Sequence, residues 1–375
     1  MRILLVPDKF KGSLTAEAVI SAVSKGVKKS MPKAEIHTIL ASDGGDGFLD
    51  SIKKYSDNKV LQVETVNPLG LEIKADYLFN LEEKSAFIEL AKASGLELLK
   101  EKERNAMESS TYGTGLLIKD AILNGCTSIY IGLGGSATND AGLGIAEALG
   151  FYFLDSEGNQ LSATGSSLSK VSSIHKKSNS ISLHGISFFA VNDVDNTLFG
   201  PKGSAYTYAK QKGANAEEIR TLDCGLKDFA DVVKMQTGKD MAELPGSGAA
   251  GGTAYGLKVF FDAEFVSGID FVLGISKANE LLNQYKFDYI ITGEGKFDAQ
   301  TLYGKLIKGV IELGEKHQVT VLAVCGQIDL DQHAIEKMGH LKIVEIKDPS
   351  KSLEYTMKNA GMLIEKSIEL FFKKK

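Results

Sequence analysis

The stretch SIYIGLGGSATNDAGLGIAEALGFYFLD, residues 128–155, joins two apolar strands through a glycine-rich turn and a predicted helix. Gly132, Gly134 and Ala137 have the spacing of a GxGxxA turn, and Asp155 closes the second strand. This order is typical of a βαβ unit whose turn faces phosphate groups. Two kinds of site are open at this point. One is a dinucleotide site with Asp155 on a ribose hydroxyl, and the other is a turn that holds the phosphate tail of a different ligand.

Both ends of the chain alternate apolar strands with helices in the same style. Continuous apolar strands between helices predict a parallel sheet covered on both faces, and therefore an α/β fold. The predicted strands are 2–6, 36–41, 289–292, 319–325 and 341–345. The predicted helices are 15–28, 48–55, 305–317 and 353–372.

The middle of the chain differs from its ends. Residues 60–66, 71–79 and 85–90 predict a meander of strands without helices between them. A helix at 113–123, the βαβ stretch and a strand at 186–191 follow. We therefore expect one α/β domain built from residues 1–62 and 285–375, with a second domain, residues 63–284, inserted into it.

Composition excludes several classes of partner. The chain has 375 residues, a formal net charge of −5 and no long basic stripe, which argues against nucleic acid. Three widely spaced cysteines suit neither a disulfide framework nor a zinc site. No run approaches the ~18 apolar residues of a membrane span. We expect a cytoplasmic protein with a small-molecule partner, and a monomer and a homodimer both stay open.

Two lysines and a serine follow the first predicted strand. Lys9, Lys11 and Ser13 precede a helix whose free N–H groups favour an anion, so they suit a carboxylate or a phosphate. The alternative is a solvated turn in which Ser13 or Thr15 caps the helix.

Acidic side chains follow two other predicted strands. Asp43 and Asp46 lie among three glycines, which suits a metal or a general base, although a capping Asp is a common alternative. Asp193 and Asp195 lie in the run NDVDN, residues 192–196, whose oxygen-bearing side chains favour Mg²⁺. A polar turn is the alternative there.

Two further loops favour phosphate chemistry. Residues 245–256, PGSGAAGGTAYG, form a second glycine-rich loop, and together with 132–144 it favours an anionic nucleotide tail. Neither loop has the spacing of a Walker A motif. Residues 293–301 place Glu294, Lys296 and Asp298 after a strand, a pattern that indicates a catalytic loop.

Taken together, these motifs resemble the bacterial glycerate kinase family with two α/β domains. The resemblance implies a flavodoxin-like parallel-sheet domain formed by both chain ends, an inserted mixed α/β domain and an active site in the cleft between them. It also implies transfer of the ATP γ-phosphoryl group to D-glycerate with 2-phosphoglycerate as product; 3-phosphoglycerate is the alternative product. The matching segments are PDKFKGSLTA (7–16), ASDGGDG (41–47), YGTG (112–115), GLGGSATNDAGLG (132–144), GSGAAGGTAYGL (246–257) and TGEGKFDAQTLYGK (292–305).

The implied chemistry assigns roles to the residues singled out above. The glycerate carboxylate would be bound by Lys9, Lys11 and Ser13. The general base would be Asp43 or Asp298, with Lys296 offsetting charge on the γ-phosphoryl group. Mg²⁺ would be held by Asp193, with Asp195 and Asp46 behind it.

The phosphates of ATP would lie against the two glycine-rich loops. The residues assigned to them are Gly134, Gly135, Ser136, Thr138, Asn139, Gly248, Gly251 and Gly252. An NAD(P)-dependent oxidoreductase that uses the 132–137 turn is the competing hypothesis. Its weakness is that the other loops offer no His and no Tyr–Lys pair for hydride chemistry.

Overall fold

A computed structural model describes residues 1–10, 12–40, 47–55, 57–298, 306–329 and 340–374. Its backbone divides into two compact units, described separately below. Unit 1 comprises Met1–Ser42 and Gly268–Lys375, and unit 2 comprises Asp43–Ser267. The domain boundaries expected after residues 62 and 284 stay a prediction. Strands and helices are numbered along the chain.

Unit 1 is built on a five-stranded parallel sheet. Its strands are β1 (Arg2–Leu5), β2 (Glu35–Thr38), β11 (Tyr289–Asp298), β12 (Thr320–Asp329) and β13 (Leu341–Glu345). The spatial order is β13-β12-β11-β1-β2, and all neighbours run parallel. Counted within the unit, this is the order 2-1-3-4-5 of flavodoxin-like folds, so the expected sheet from both chain ends is confirmed.

Strand β11 is longer than the sequence predicts. The expectation was a strand at 289–292 followed by a loop, but the strand continues to Asp298. Lys296 pairs with Gln327 and Phe297 with Ile328, so the neighbouring strand β12 supplies the backbone hydrogen bonds. The predicted catalytic loop is therefore extended strand as far as residue 298.

Helices cover the sheet of unit 1. They are α1 (Ala16–Ser30), α9 (Gly268–Ile275), α10 (Ala278–Gln284), α11 (Leu306–His317), α12 (Leu353–Lys358) and α13 (Ala360–Lys373). Thr15 begins α1 by accepting a hydrogen bond from the N–H of Ala18 at 3.3 Å. Val19, Val23 and Val27 then face the core at helical spacing.

The single long helix predicted at 353–372 is wrong. The structure breaks it at Asn359, whose side-chain amide donates to the carbonyl oxygen of Tyr355 at 2.8 Å. A side chain that hydrogen-bonds the preceding turn competes with the helical backbone, which explains the break.

Unit 2 is built on a six-stranded mixed sheet. Its strands are β3 (Lys59–Val66), β4 (Glu72–Asn80), β5 (Ser85–Glu89), β6 (Ser128–Gly132), β9 (Ser187–Val191) and β10 (Glu264–Val266). The order is β10-β9-β6-β5-β4-β3, in which β4 pairs antiparallel with both β3 and β5, and β5, β6, β9 and β10 pair in parallel. The predicted meander and the first strand of the predicted βαβ stretch, β6, therefore share one sheet, whereas its second strand, 151–154, does not join it.

Helices and one small sheet complete unit 2. The helices are α2 (Phe48–Ile52), α3 (Ala91–Ser94), α4 (Tyr112–Leu123), α5 (Leu143–Ala148), α6 (Ser204–Tyr208), α7 (Ala216–Thr237) and α8 (Ala249–Phe261). Strands β7 (Phe151–Leu154) and β8 (Ser173–Lys176) form a separate antiparallel pair. Within the described ranges, every helix is too short or too polar to cross a membrane.

Candidate active site

The carboxyl ends of the parallel strands in unit 2 bring two predicted motifs, together with Glu89, to one edge. Glu89 pairs with Gly132 and Gly132 with Val191, so β5, β6 and β9 end at the same level. The glycine-rich turn after β6 therefore lies between Glu89 on one side and the run 192–196 on the other. In open parallel sheets, ligands bind at this edge.

Residues 133–142, here called the β6 loop, are held by their neighbours' backbone. The N–H of Leu133 donates to the carbonyl oxygen of Val191 at 3.1 Å. The N–H of Ala137 donates to Ser94 at 2.9 Å, and Gly135 accepts from Leu96 at 2.9 Å. Gly135 has φ +69 and is exposed, a left-handed conformation that favours glycine. The exposed tip of this loop is therefore fixed on both sides.

Asp140 fixes the far end of the β6 loop from within the protein. Its fully buried carboxylate accepts hydrogen bonds from the N–H and the hydroxyl of Thr111, both at 2.7 Å. The N–H groups of Gly142 and Gly144 donate to it at 3.1 and 3.2 Å. Burial raises the pKa of Asp140, while these donors oppose the shift. Asp140 is therefore a structural anchor of the loop.

The β6 loop also carries buried polar atoms that have no hydrogen-bond partner among the described residues. Among the residues that the structure describes, Thr138 Oγ1 and both side-chain heteroatoms of Asn139 have no hydrogen-bond partner, although both residues are fully buried. Unsatisfied buried polar groups are costly, and their presence at a strand end fits a site that a polar ligand completes. Thr138 and Asn139 are two of the residues that the sequence assigns to the phosphates, and that assignment stays a prediction.

The second glycine-rich loop packs against the first. The N–H of Ala141 donates to the carbonyl oxygen of Gly251 at 3.0 Å. A Cβ atom on Gly248 would lie 2.3 Å from the carbonyl oxygen of Thr197, and one on Gly252 would lie 2.8 Å from Leu198 Cδ1. At these two glycines, the close approach that the sequence suggested is made by protein atoms.

Asp155 does not occupy the position that a dinucleotide fingerprint requires. Strand β7, which ends just before it, pairs with β8 instead of joining the main sheet beside β6. The Asp155 carboxylate accepts from the N–H groups of Glu157 and Asn159 at 2.9 and 2.8 Å, closing a local turn. The GxGxxA spacing is thus present without the strand that would carry the ribose-binding acid.

In unit 1, the predicted lysine loop lies where the strand order reverses, between β1 and β11. The N–H of Asp8 donates to the carbonyl oxygen of Gly293 at 2.9 Å, and Lys9 is exposed next to it. The Ser13 hydroxyl donates to the carbonyl oxygen of Met357 at 2.5 Å. Lys9 is therefore at a ligand-binding position of the fold, while the proton of Ser13 is engaged by α12. Lys11 lies outside the described residues.

Lys296 extends from the same end of the sheet. Its Nζ lies 2.7 Å from Asp329 Oδ2 on β12, and this ammonium lowers the pKa of the Asp329 carboxyl. Asp298 ends β11, and its side chain lies outside what the structure describes, as do the predicted residues Asp43 and Asp46. Lys9, in the loop after β1, and Lys296, on β11, thus follow or lie on neighbouring strands of unit 1.

The predicted metal ligands differ in their exposure. Asp193 is partly buried directly after β9, whereas Asp195 is exposed. Among the described residues, no three His, Cys, Asp or Glu side chains are close enough to form a metal cluster. A cation here would therefore depend on ligand oxygens as well as on the protein.

Two residues of this edge were missed by the sequence reasoning. Glu89 is 4% exposed at the end of β5 and accepts a hydrogen bond from the N–H of Leu49 at 3.2 Å. Lys212 is 2% exposed and contacts the β6 loop. A glutamate that closes an apolar strand was a usable signal for Glu89. Lys212 stands in the run KQKG, which reads as solvated charge.

Known proteins are similar to this chain in both sequence and fold. A sequence model of the glycerate kinase family matches residues 3–374. The chain is 37% identical over 367 residues to the glycerate kinase of Halalkalibacterium halodurans, an alignment that covers 97% of this chain and 96% of that protein. It is 34% identical over 339 residues to the glycerate 2-kinase of Escherichia coli K12, with 90% and 88% covered.

A crystal structure from Salmonella typhimurium LT2, assigned as glycerate kinase 2, matches with a TM-score of 0.80 at 32% identity. The match covers 100% of this chain and 98% of that one. Family, sequence relatives and fold agree over nearly the whole length. The chain therefore belongs to the glycerate kinase family and is a kinase.

Proposed function

We propose that the protein transfers the γ-phosphoryl group of ATP to D-glycerate and releases 2-phosphoglycerate. Membership of a kinase family implies ATP as the phosphoryl donor. The choice of the 2-product follows the name of the Escherichia coli relative, glycerate 2-kinase. 3-Phosphoglycerate is the alternative product.

The observation that carries this proposal is the β6 loop. It begins at the carboxyl end of a central parallel strand, and it holds the unmatched polar side chains of Thr138 and Asn139. Phosphoryl transfer depends on positioning and on donors aimed at phosphate oxygens more than on covalent chemistry. A rigid loop with buried, unsatisfied polar groups suits that task.

The phosphate chain would lie against this loop. Gly134 and Gly135 let phosphate oxygens approach the backbone, and Ser136, Thr138 and Asn139 offer side-chain donors. The second loop, with Gly248, Gly251 and Gly252, supports it from behind through the contact between Gly251 and Ala141.

A magnesium ion fits the residues at this edge. Mg²⁺ is usually held by one or two carboxylates together with phosphate oxygens and water, so a full protein cluster is not needed. Asp193 follows β9 next to the β6 loop and is the first candidate ligand; Asp195 is a further candidate at this edge, and Asp46, outside the described residues, is another candidate from the sequence. The bound ion would neutralise phosphate charge.

Glycerate would be held by unit 1. Lys9 lies at the reversal of strand order, and with Lys11 and Ser13 it would bind the substrate carboxylate. Ser13 can do so once its hydroxyl proton turns from the Met357 carbonyl oxygen toward the carboxylate, which accepts it. Asp43 or Asp298 would accept the proton of the attacking hydroxyl, and Lys296 would offset the developing charge.

A coupled assay tests the product directly. The protein is incubated with ATP, Mg²⁺ and D-glycerate, and enolase is then added without phosphoglycerate mutase. Phosphoenolpyruvate, followed by its ultraviolet absorbance, forms in this mixture if the product is 2-phosphoglycerate. If it forms only after mutase is added, the product is 3-phosphoglycerate. No phosphorylated product in either mixture would refute the kinase assignment for glycerate, and L-glycerate serves as the stereochemical control.

A further inference from the structure

A buried lysine contacts the β6 loop from the side of the protein core. Lys212 is the last residue of the 3-10 turn Ala209–Lys212, and the chain reverses at Gly213 with φ +94. A Cβ atom on Gly213 would lie 2.3 Å from the carbonyl oxygen of Arg104, so packing fixes this turn. The side chain that the turn presents is 2% exposed.

The Lys212 ammonium donates two hydrogen bonds to the β6 loop. Its Nζ lies 2.8 Å from Ser136 Oγ and 2.7 Å from the carbonyl oxygen of Thr138. An ammonium group has donors and no acceptor. With Lys212 protonated, Ser136 therefore accepts in this contact, which leaves its own hydroxyl proton for another acceptor.

The contact with Thr138 orients the next peptide unit. Because a trans peptide is planar, its C=O and N–H groups point to opposite sides. The Thr138 carbonyl points to Lys212, so the N–H of Asn139 points away from it. Lys212 thus sets the direction of one side-chain donor and one backbone donor in the same loop.

The charge of Lys212 is not required for packing. Burial lowers the pKa of Lys212 to about 7, and the buried Asp140 carboxylate opposes this shift. Replacing a buried charged group by an apolar residue of similar volume is often neutral for stability, so packing alone does not favour a lysine here. The two hydrogen bonds that Lys212 donates to the β6 loop explain a lysine at this position better than packing does.

We propose that Lys212 is a positioning residue of the nucleotide site, which makes Ser136 a donor toward the phosphate chain and fixes the peptide between Thr138 and Asn139. This inference rests on the proposed role of the β6 loop. It adds a residue that touches neither substrate and acts through Ser136.

The test compares K212M, S136A and the double variant. Isothermal titration calorimetry with Mg²⁺ and the non-hydrolysable analogue AMP-PNP measures nucleotide Kd, and titration with D-glycerate measures the other site. We expect each single substitution to raise the AMP-PNP Kd about tenfold or more while glycerate Kd stays within about twofold. The double variant should lose no more than the weaker-binding single variant, because both remove the same oriented donor.

Lys239 supplies a matched control. Its Nζ donates to the carbonyl oxygen of Val259 at 2.8 Å and pairs with Asp262 at 2.6 Å, away from the β6 loop. K239M should bind AMP-PNP like the wild type. Thermal unfolding of every variant shows whether it is folded.

Three results would overturn the proposal. They are a folded K212M with unchanged AMP-PNP affinity, an S136A with unchanged affinity, and losses in the double variant that multiply. If K212M does not fold, unchanged affinity of S136A still overturns the proposal. Wild-type protein that binds AMP-PNP but never phosphorylates glycerate would refute the proposed function and leave this comparison valid.

Discussion

A Cβ atom on Gly251 would lie 2.0 Å from the carbonyl oxygen of Thr138. Gly251 has φ +72 and stands between Ala250 and Gly252, which also have positive φ. The two glycine-rich loops are therefore packed backbone against backbone. The β6 loop can take this position because Gly251, in the second loop, has no side chain.

G251A should destabilise the protein and displace the β6 loop. The left-handed backbone and the overlap with Thr138 together should lower the free energy of unfolding by at least about 2 kcal/mol. Urea denaturation measures this loss. G274A is the control, because Gly274 is exposed in α9 with open space around its missing Cβ. The free energy of unfolding of G274A should rise by roughly 0.5–1 kcal/mol. An equal change in this free energy for G251A and G274A would contradict the packing argument.

Stability should depend on pH through Lys212. Its pKa falls from 10.5 to about 7 on folding, so between these values the unfolded state binds more protons than the folded state. The free energy of unfolding should therefore rise with pH above about 7, by about 1–2 kcal/mol up to pH 8.5. The measurement is the difference between wild type and K212M in urea at pH 6.5, 7.5 and 8.5. A difference that stays constant over this series would show that Lys212 does not titrate there.

D193N should weaken the binding of magnesium. Loss of the carboxylate should raise the Mg²⁺ concentration for half-maximal turnover by at least about tenfold. D195N should have a smaller effect because Asp195 is exposed. D228N, an exposed carboxylate on α7, serves as the control and should leave the Mg²⁺ curve unchanged. Identical curves for D193N and wild type would remove Asp193 from the metal site.

D43N and D298N should identify the general base. The variant that lacks the base should lose a factor of ~100 or more in kcat, with little change in the KM for ATP. Steady-state kinetics in both substrates separates this effect from weaker binding. Near-normal turnover of either variant would exclude that residue from the role.

Much of the fold follows from the sequence because the parallel strands are continuously apolar. Strand β13 begins and ends where it was expected, and β3 begins one residue earlier than expected. The failures have two causes: the helix predicted at 353–372 is broken by the local hydrogen bond of Asn359, and in β11 the local composition is overruled by a partner elsewhere in the chain. Gly293 and Lys296 suggested a loop, but β12 pairs with both.

The loops of the candidate site were predictable from the sequence, but the buried residue that contacts them was not. Ser136, Thr138 and Asn139 stand in a recognisable motif, so the sequence singled them out. Lys212 lies 74 residues along the chain from Thr138, and its burial depends on the turn at Gly213. A single sequence does not show that a charged side chain among other polar residues is buried.

The discontinuous make-up of unit 1 bears on how the chain folds as it is made. The Thr292 hydroxyl donates to the carbonyl oxygen of Val6 across 286 residues, and β1 lies between β2 and β11. Unit 2 is continuous in sequence, so all its strands emerge from the ribosome before β11 does. Pairings of long sequence separation form slowly, and exposed strand edges invite aggregation meanwhile. Strand β1, which leads into the lysine loop, can pair early with β2 but must wait for its second partner, β11, until most of the protein has been synthesised.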